Sequence, residues 1–177
     1  MFRRACLAAF LFVLSLTAIA QNDNFPDRKE IVINTFPSIE LSNFTFANIY
    51  KDGRTRFHQD MRWKNVGDKP IAAFEIVVLK YDAFDQRLIG SRWLVTGKDS
   101  SNWNHLIPGT QEGDGLRALG AEEVMTAIAY VRAARYADGS LWRVNENDVI
   151  QKLKAVAPGI KDFGSVKPDA KPGAEQK

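Results

Sequence analysis

Between Arg56 and Lys64 the chain alternates without a break. Phe57, Gln59, Met61 and Trp63 hold one set of positions, and Arg56, His58, Asp60, Arg62 and Lys64 hold the other. Successive side chains of an extended strand point to opposite faces, so this stretch has one face to bury and one charged face to leave in water. A strand with a single dry face needs a second layer to cover it. That requirement governs the reading of everything around it.

The neighbouring segments carry the same signature. Phe44 to Tyr50 forms a hairpin with Thr55 to Asn65 through Lys51-Asp52-Gly53-Arg54, where Asp-Gly supplies the positive φ of a tight turn. Gly67-Asp68-Lys69-Pro70 is the next turn. Ile71 to Tyr81 is the most apolar stretch after the leader, with Phe74, Ile76 and Val78 on one face and Val77, Leu79 and Tyr81 on the other. Its β-branched and aromatic content marks a central strand. Asp82 to Gln86 turns the chain, Leu88 to Thr96 returns, and Gly97 to Asn104 and Gly109 to Gly115 read as loops. Ala121 to Tyr136 reads two ways. Val124, Ala127, Ile128 and Val131 make a helical stripe, whereas the alternation of Met125, Ala127, Ala129, Val131 and Ala133 makes a strand. The strand is preferred because Asp138-Gly139 and Ser140-Leu141-Trp142 close it as a hairpin. Asn145 to Val156 reads as a short helix capped by Asn145 or Asn147, with Val149, Leu153 and Val156 on one face and Pro158 ending it.

The ends differ from the middle. Arg3 and Arg4, an apolar run from Leu7 to Thr17 and the small-x-small Ala18-Ile19-Ala20 form a cleavable export signal over residues 1–20. The run is too short to anchor the chain across a bilayer, so the expected location is periplasmic or extracellular. Residues 21–39 read as an N-terminal extension, 40–157 as the sandwich domain and 158–177 as a proline-, glycine- and lysine-rich disordered tail. Cys6, the single cysteine, lies inside the signal. The processed chain therefore has no disulfide, cysteine-ligated metal or thiol chemistry. Of 24 lysines and arginines, two lie in the signal and six after Ile150, leaving 16 against 18 acidic residues in the folded region. A nucleic-acid surface needs a basic face on the domain itself, so that partner class is set aside.

Candidate chemistry is sparse. His58 and His105 are the two histidines. Asp99, Ser100 and Ser101 lie near His105, but no Gly-x-Ser-x-Gly elbow accompanies them. His58 and Asp60 share a strand face and could reach one ion, yet a third ligand would have to come from elsewhere. Asp82 with Asp85, and Asp99 with Asn102 and Asn104, lack calcium-loop spacing and fit turn chemistry instead. Among Glu75, Asp82, Glu112, Glu122 and Glu123, Glu75 stands out because it sits in the most apolar strand, where a cross-strand cation would pair it. Trp63 and Trp142 read as packing residues. Trp103, flanked by Asn102, Asn104 and His105, is the candidate exposed aromatic, suited to stacking on a sugar or a partner's apolar anchor.

Several short motifs together resemble small exported bacterial immunoglobulin-like domains of the FxLYD type. Trp63 to Ile71 is similar to their strand–Asn–turn element, Leu79-Lys80-Tyr81-Asp82 to their Leu-x-Tyr-Asp element, and Ile107-Pro108-Gly109 to their loop proline-glycine. Tyr136-Ala137-Asp138-Gly139-Ser140-Leu141-Trp142 is similar to the closing hairpin of many exported domains. The resemblance implies binding or scaffolding and transfers no catalytic residue. The expected fold is all-β: an immunoglobulin-like β-sandwich of about seven strands with a short C-terminal helix. The expected function is a non-catalytic exported module acting on a protein or cell-envelope component, with no cofactor and no metal. The alternative is a glycan-binding module or glycan-acting enzyme using exposed tryptophan and carboxylates.

Overall fold

The computed structural model describes residues 29–51, 54–96, 105–119 and 124–163. The expected export signal, the Asp52-Gly53 turn, Trp103 with its two asparagines, and the chain from residue 164 onward lie outside the described residues. Eight strands and one helix follow in order: β1 (Lys29–Ile33), β2 (Ile39–Lys51), β3 (Arg54–Asn65), β4 (Ile71–Tyr81), β5 (Arg87–Thr96), β6 (Gln111–Leu119), β7 (Thr126–Tyr136), β8 (Leu141–Arg143) and α1 (Glu146–Val156). One sheet has the order β1-β7-β4-β5, with β8 also paired to β7; the other has the order β2-β3-β6. The two layers form the expected all-β sandwich, and one short helix follows it among the described residues.

The alternation in β3 holds throughout. Phe57, Gln59, Met61 and Trp63 are each 2% exposed or less, while Asp60, Arg62 and Lys64 face solvent. Across the layer, Phe74, Ile76 and Val78 of β4 enter the same core, which also takes in Trp93 and the small residues Ala127, Ala129 and Ala134 of β7. Trp63 meets Phe74 and Trp93 edge-on, each at 5.7 Å between ring centroids. The ambiguous segment is thus strand over Thr126–Tyr136. Its alanines suit a central strand covered on both faces, where packing outweighs their helical preference.

The opposite face of β4 and β7 carries Val77, Leu79, Tyr81, Ile128 and Tyr130, and α1 covers it with Val149 and Leu153. Asn145 caps the helix by accepting the Asn147 N–H at 3.1 Å. Val156, expected on the buried face, is 47% exposed, and Ala157 is buried in its place. Val156 ends α1, and at the C-cap residue Ala157 (φ −135°, ψ 64°) the backbone leaves helical geometry, so the helical period no longer decides which side chain is buried. Beyond the helix, Ile160 and Phe163, inside the stretch expected as tail, are buried in the same cluster. At the other end, Lys29–Ile33, inside the expected extension, pairs in parallel with Thr126–Tyr130 of β7.

Three turns rest on side chains. Buried Asn65 donates through Nδ2 to the carbonyls of Lys69 (2.9 Å) and Leu106 (2.8 Å) and accepts the Gly67 N–H at 3.0 Å. A Cβ at Gly67 would lie 2.7 Å from the Ser38 Cβ, so glycine is required at this crossing. Asp82 accepts the N–H groups of Phe84 and Gln86, and Asp138 accepts that of Ser140. These carboxylates are turn braces.

The expected loop over Gly109 to Gly115 is corrected. Gly109, at φ 83°, and Thr110 make a turn, but from Gln111 onward the chain is strand β6, paired antiparallel to β3. Two glycines in this run hide its strand character from a propensity reading. Here they answer to the crowding of β3 rather than to turn geometry.

Candidate functional site

The outer strands on the two sides of the sandwich are treated differently. On one side β1 and β2 close the layers together: Glu30 accepts the Phe46 N–H at 2.9 Å, and Asn34 accepts the Leu41 N–H at 2.8 Å. On the other side β5 and β6 end their sheets, with no comparable strand-to-strand packing among the described residues.

β6 is the more unusual of the two. The Asn65 N–H donates to the Thr110 carbonyl at 3.0 Å, which sets the phase of the ladder. Even-numbered residues of β6 turn their backbone groups toward β3, and odd-numbered ones turn theirs to the open edge. Gln111, Gly113 and Gly115 therefore turn their ladder groups away from β3, and among the described residues no strand pairs with them there. The Gly115 N–H is accepted by the Asp114 carboxylate at 2.7 Å. A Cβ at Gly113 would sit 2.8 Å from the Met61 carbonyl oxygen and 2.9 Å from Arg62 Cγ. A Cβ at Gly115 would sit 2.6 Å from Asp60 Oδ1 and 3.0 Å from His58 Nε2. The side chains of β3 fold over bare backbone, and glycine is what makes room for them.

The result is an open depression of about 550 Å³ on the three-stranded sheet, bordered by Asn43, Asp60, Arg62, Gln111, Glu112 and Asp114. Asn43 reaches it from a bulge in β2, where its φ of 49° breaks the register between Ser42 and Thr45. On the outer face Asp60 stands against Arg62, whereas register sets Glu112 and Asp114 beside the core residues Trp63 and Met61, so their side chains leave β6 from its other face. Its groups accept and donate hydrogen bonds; among the described residues no serine or tyrosine hydroxyl lines it as a nucleophile. His58 Nε2 lies 3.5 Å from Asp60 Oδ1, but no set of three or more metal-ligating side chains is gathered among the described residues.

No family model and no curated protein matches the chain. Three solved structures resemble it at 13–14% identity, two of them as follows. A hypothetical protein from Peptoclostridium difficile 630 is similar over 67% of this chain and 91% of its own, at 13% identity and a TM-score of 0.47. The Northeast Structural Genomics Consortium target SoR45 is similar over 60% of this chain and 80% of its own, at 13% identity and a TM-score of 0.37. Neither carries a named activity.

Of the residues singled out from sequence as a binding surface, Trp103, Asn102 and Asn104 lie outside the described residues. His105 is exposed immediately before Leu106, which is fully buried and bridged to Ile71. His105 forms no part of the depression. Glu75 is paired, as its position suggested, accepting from Arg92 of β5 and from Arg132 of β7. Trp63 and Trp93 are core residues, and Trp142 packs 4.5 Å from the Phe36 ring. The β6 edge was missed because its glycines resemble a loop. The available signal was the spacing of Gly113 and Gly115, two apart as strand positions on one face are.

Proposed function

We propose that this chain is an exported, non-catalytic binding module that takes up an extended segment of a partner protein along the free edge of β6. Strand addition supplies affinity through main-chain hydrogen bonds and specificity through alternate side chains. What supports the reading is the outer edge of β6, where Gln111 and Gly113 turn ladder groups away from β3, without a strand partner among the described residues, beside a polar depression. The resemblance to exported immunoglobulin-like domains points the same way. The glycan-directed alternative has less support, because three of the four tryptophans are engaged in packing and the depression has carboxylates without a ring for a sugar to stack on.

Site-directed photo-crosslinking in intact cells tests the proposal. A crosslinker at Gln111 is expected to yield a discrete protein adduct, and one at Gln151 on the exposed side of α1 is not. Proline elsewhere on the same edge would crowd β3, but Gln111→Pro removes an outward N–H where proline is tolerated on an edge strand. In a competition with unlabelled protein, Gln111→Pro is expected to displace the adduct at least about fivefold less well than wild type. Adducts that form from Gln151 and not from Gln111 would assign recognition to another face.

A further inference from the structure

Among the described residues, half of the five-stranded sheet's outer face has no helix on it. α1 and the residues after it meet that face over Val77, Leu79, Tyr81, Ile128 and Tyr130. Beyond them, register sets Leu94, Glu75, Ala133 and Arg143 in one row across β5, β4, β7 and β8. The adjoining row contains Ala73, Arg135 and Leu141. Both rows face outward, because the intervening Phe74, Val95 and Ala134 belong to the sandwich core.

The register shift between β4 and β7 at Glu75 and Ile76 leaves Arg132 as the extra residue of a bulge, aimed at this same face. Its Nη1 donates to Glu75 Oε1 at 2.9 Å. Arg92 takes the other oxygen, with Nε at 3.0 Å and Nη2 at 2.8 Å from Oε2. A guanidinium has five N–H donors, so one carboxylate uses up few of those the pair carries. Arg92 remains 55% exposed while the Glu75 side chain is 8% exposed. Arg135 and Arg143 are exposed as well, and Arg135 donates to the Gly139 carbonyl at 3.2 Å. Glu146 opens α1 at the helix border of this face. Counting it with Glu75 against Arg92, Arg132, Arg135 and Arg143, positive charges still exceed negative ones by two.

Between the arginines the floor is low, made by Ala73 and Ala133. Leu94, 52% exposed, and Leu141, 49% exposed, stand on opposite flanks. We infer that this shelf is a docking surface for an acidic, leucine-bearing segment of a partner protein, its carboxylates engaging the arginines and its apolar side chains meeting Leu94 and Leu141. The guanidinium fork matches a carboxylate in plane and spacing. The two exposed leucines favour a peptide over an anionic sugar or phosphate polymer, which has no apolar side chain to offer them. The shelf is independent of the β6 edge, which belongs to the other sheet.

The test is fluorescence anisotropy of the processed full-length protein with a labelled decapeptide of alternating glutamate and leucine. Binding is expected at low salt and should weaken about tenfold or more between 50 and 500 mM salt. The exposed double variant Arg135→Gln/Arg143→Gln should bind roughly three- to tenfold more weakly with an unchanged circular dichroism spectrum. Glu75→Gln, which keeps the side chain's shape and releases both guanidiniums, should bind more tightly, an effect that mere structural support would not produce. The C-terminal lysines are common to all variants, so the differences report on the shelf. Equal binding by wild type and the double variant, or by an alternating lysine–leucine peptide, would overturn the inference. So would tighter binding of inorganic polyphosphate than of the peptide, which would reassign the shelf to phosphate polymers.

Discussion

Asp114 holds the main-chain N–H of its neighbour Gly115 at 2.7 Å, on the one strand edge where that amide would otherwise be offered to a second chain. Open edges invite unwanted pairing, and charged side chains on them are a common guard. Asp114→Ala removes the acceptor and one negative charge while leaving the β3–β6 ladder intact. The expected outcome is a rise in average mass with concentration relative to wild type, read by sedimentation velocity, with stability within about 0.5 kcal/mol of the parent. Identical sedimentation of the two proteins would mean that the carboxylate guards nothing.

The two glycines of β6 should differ in what they tolerate. Alanine at Gly113 meets the rigid Met61 carbonyl at 2.8 Å, so β6 has to move away from β3. Alanine at Gly115 meets the ends of the Asp60 and His58 side chains, which can swing aside. Urea denaturation should place Gly113→Ala about 1–3 kcal/mol below wild type and Gly115→Ala within about 1 kcal/mol of it. The reverse order would contradict the crowding argument.

Gln59 is fully buried on the inner face of β3, and neither its amide oxygen nor its nitrogen has a hydrogen-bond partner among the described residues. An amide dried without compensation costs free energy that an apolar side chain of similar size does not. Gln59→Leu is therefore expected to stabilise the protein by about 1–2 kcal/mol, seen as a higher urea midpoint at unchanged slope. A lower midpoint would show that the amide has work to do in the interior.

Hydrogen bonds from the Ser140 hydroxyl and N–H, with help from Lys69, hold the Asp138 carboxyl down at about 2, against an ordinary value of 3.8. A carboxyl lowered by folding stabilises the native state above its unfolded value and loses that contribution as the pH falls through its folded one. The Asp138 contribution should thus be complete above about pH 4 and vanish towards pH 2. Carboxyl NMR should find Asp138 titrating near the bottom of that window. Asp138→Asn should flatten the acid limb of the stability profile there. An Asp138 resonance that titrates like an unperturbed aspartate would rule out the brace.

Much of this architecture was readable from the residues. The period-two pattern from Phe57 to Trp63 is dictated by burial, and burial held it to the last position. Asp82, Asp138 and Asn145 announce turns and a cap because their short side chains bond locally, with no help from distant parts of the chain. What escaped reading depends on distant partners. β1 has five residues and finds its register only against β7. The glycines of β6 take their meaning from Met61 and Asp60. Arg132 reaches Glu75 only because a bulge absorbs one residue. The candidate surface itself was half visible: Glu75 and its need for a cation could be read, whereas the convergence of Arg92, Arg132, Arg135 and Arg143 required the sheet.

The parallel pairing of Lys29–Ile33 with Thr126–Tyr130 also bears on the order of assembly. A chain that emerges N-terminus first, from a ribosome or a translocation channel, presents β1 long before the strand that will hold it exists. The five-stranded sheet cannot be completed early, so docking of β1 should be among the last events, and a slow one, since contacts that bridge most of a chain are costly to close. Until then β7 would show a bare flank, which makes that interval the time when a nascent molecule is most exposed to a chaperone or to its own kind.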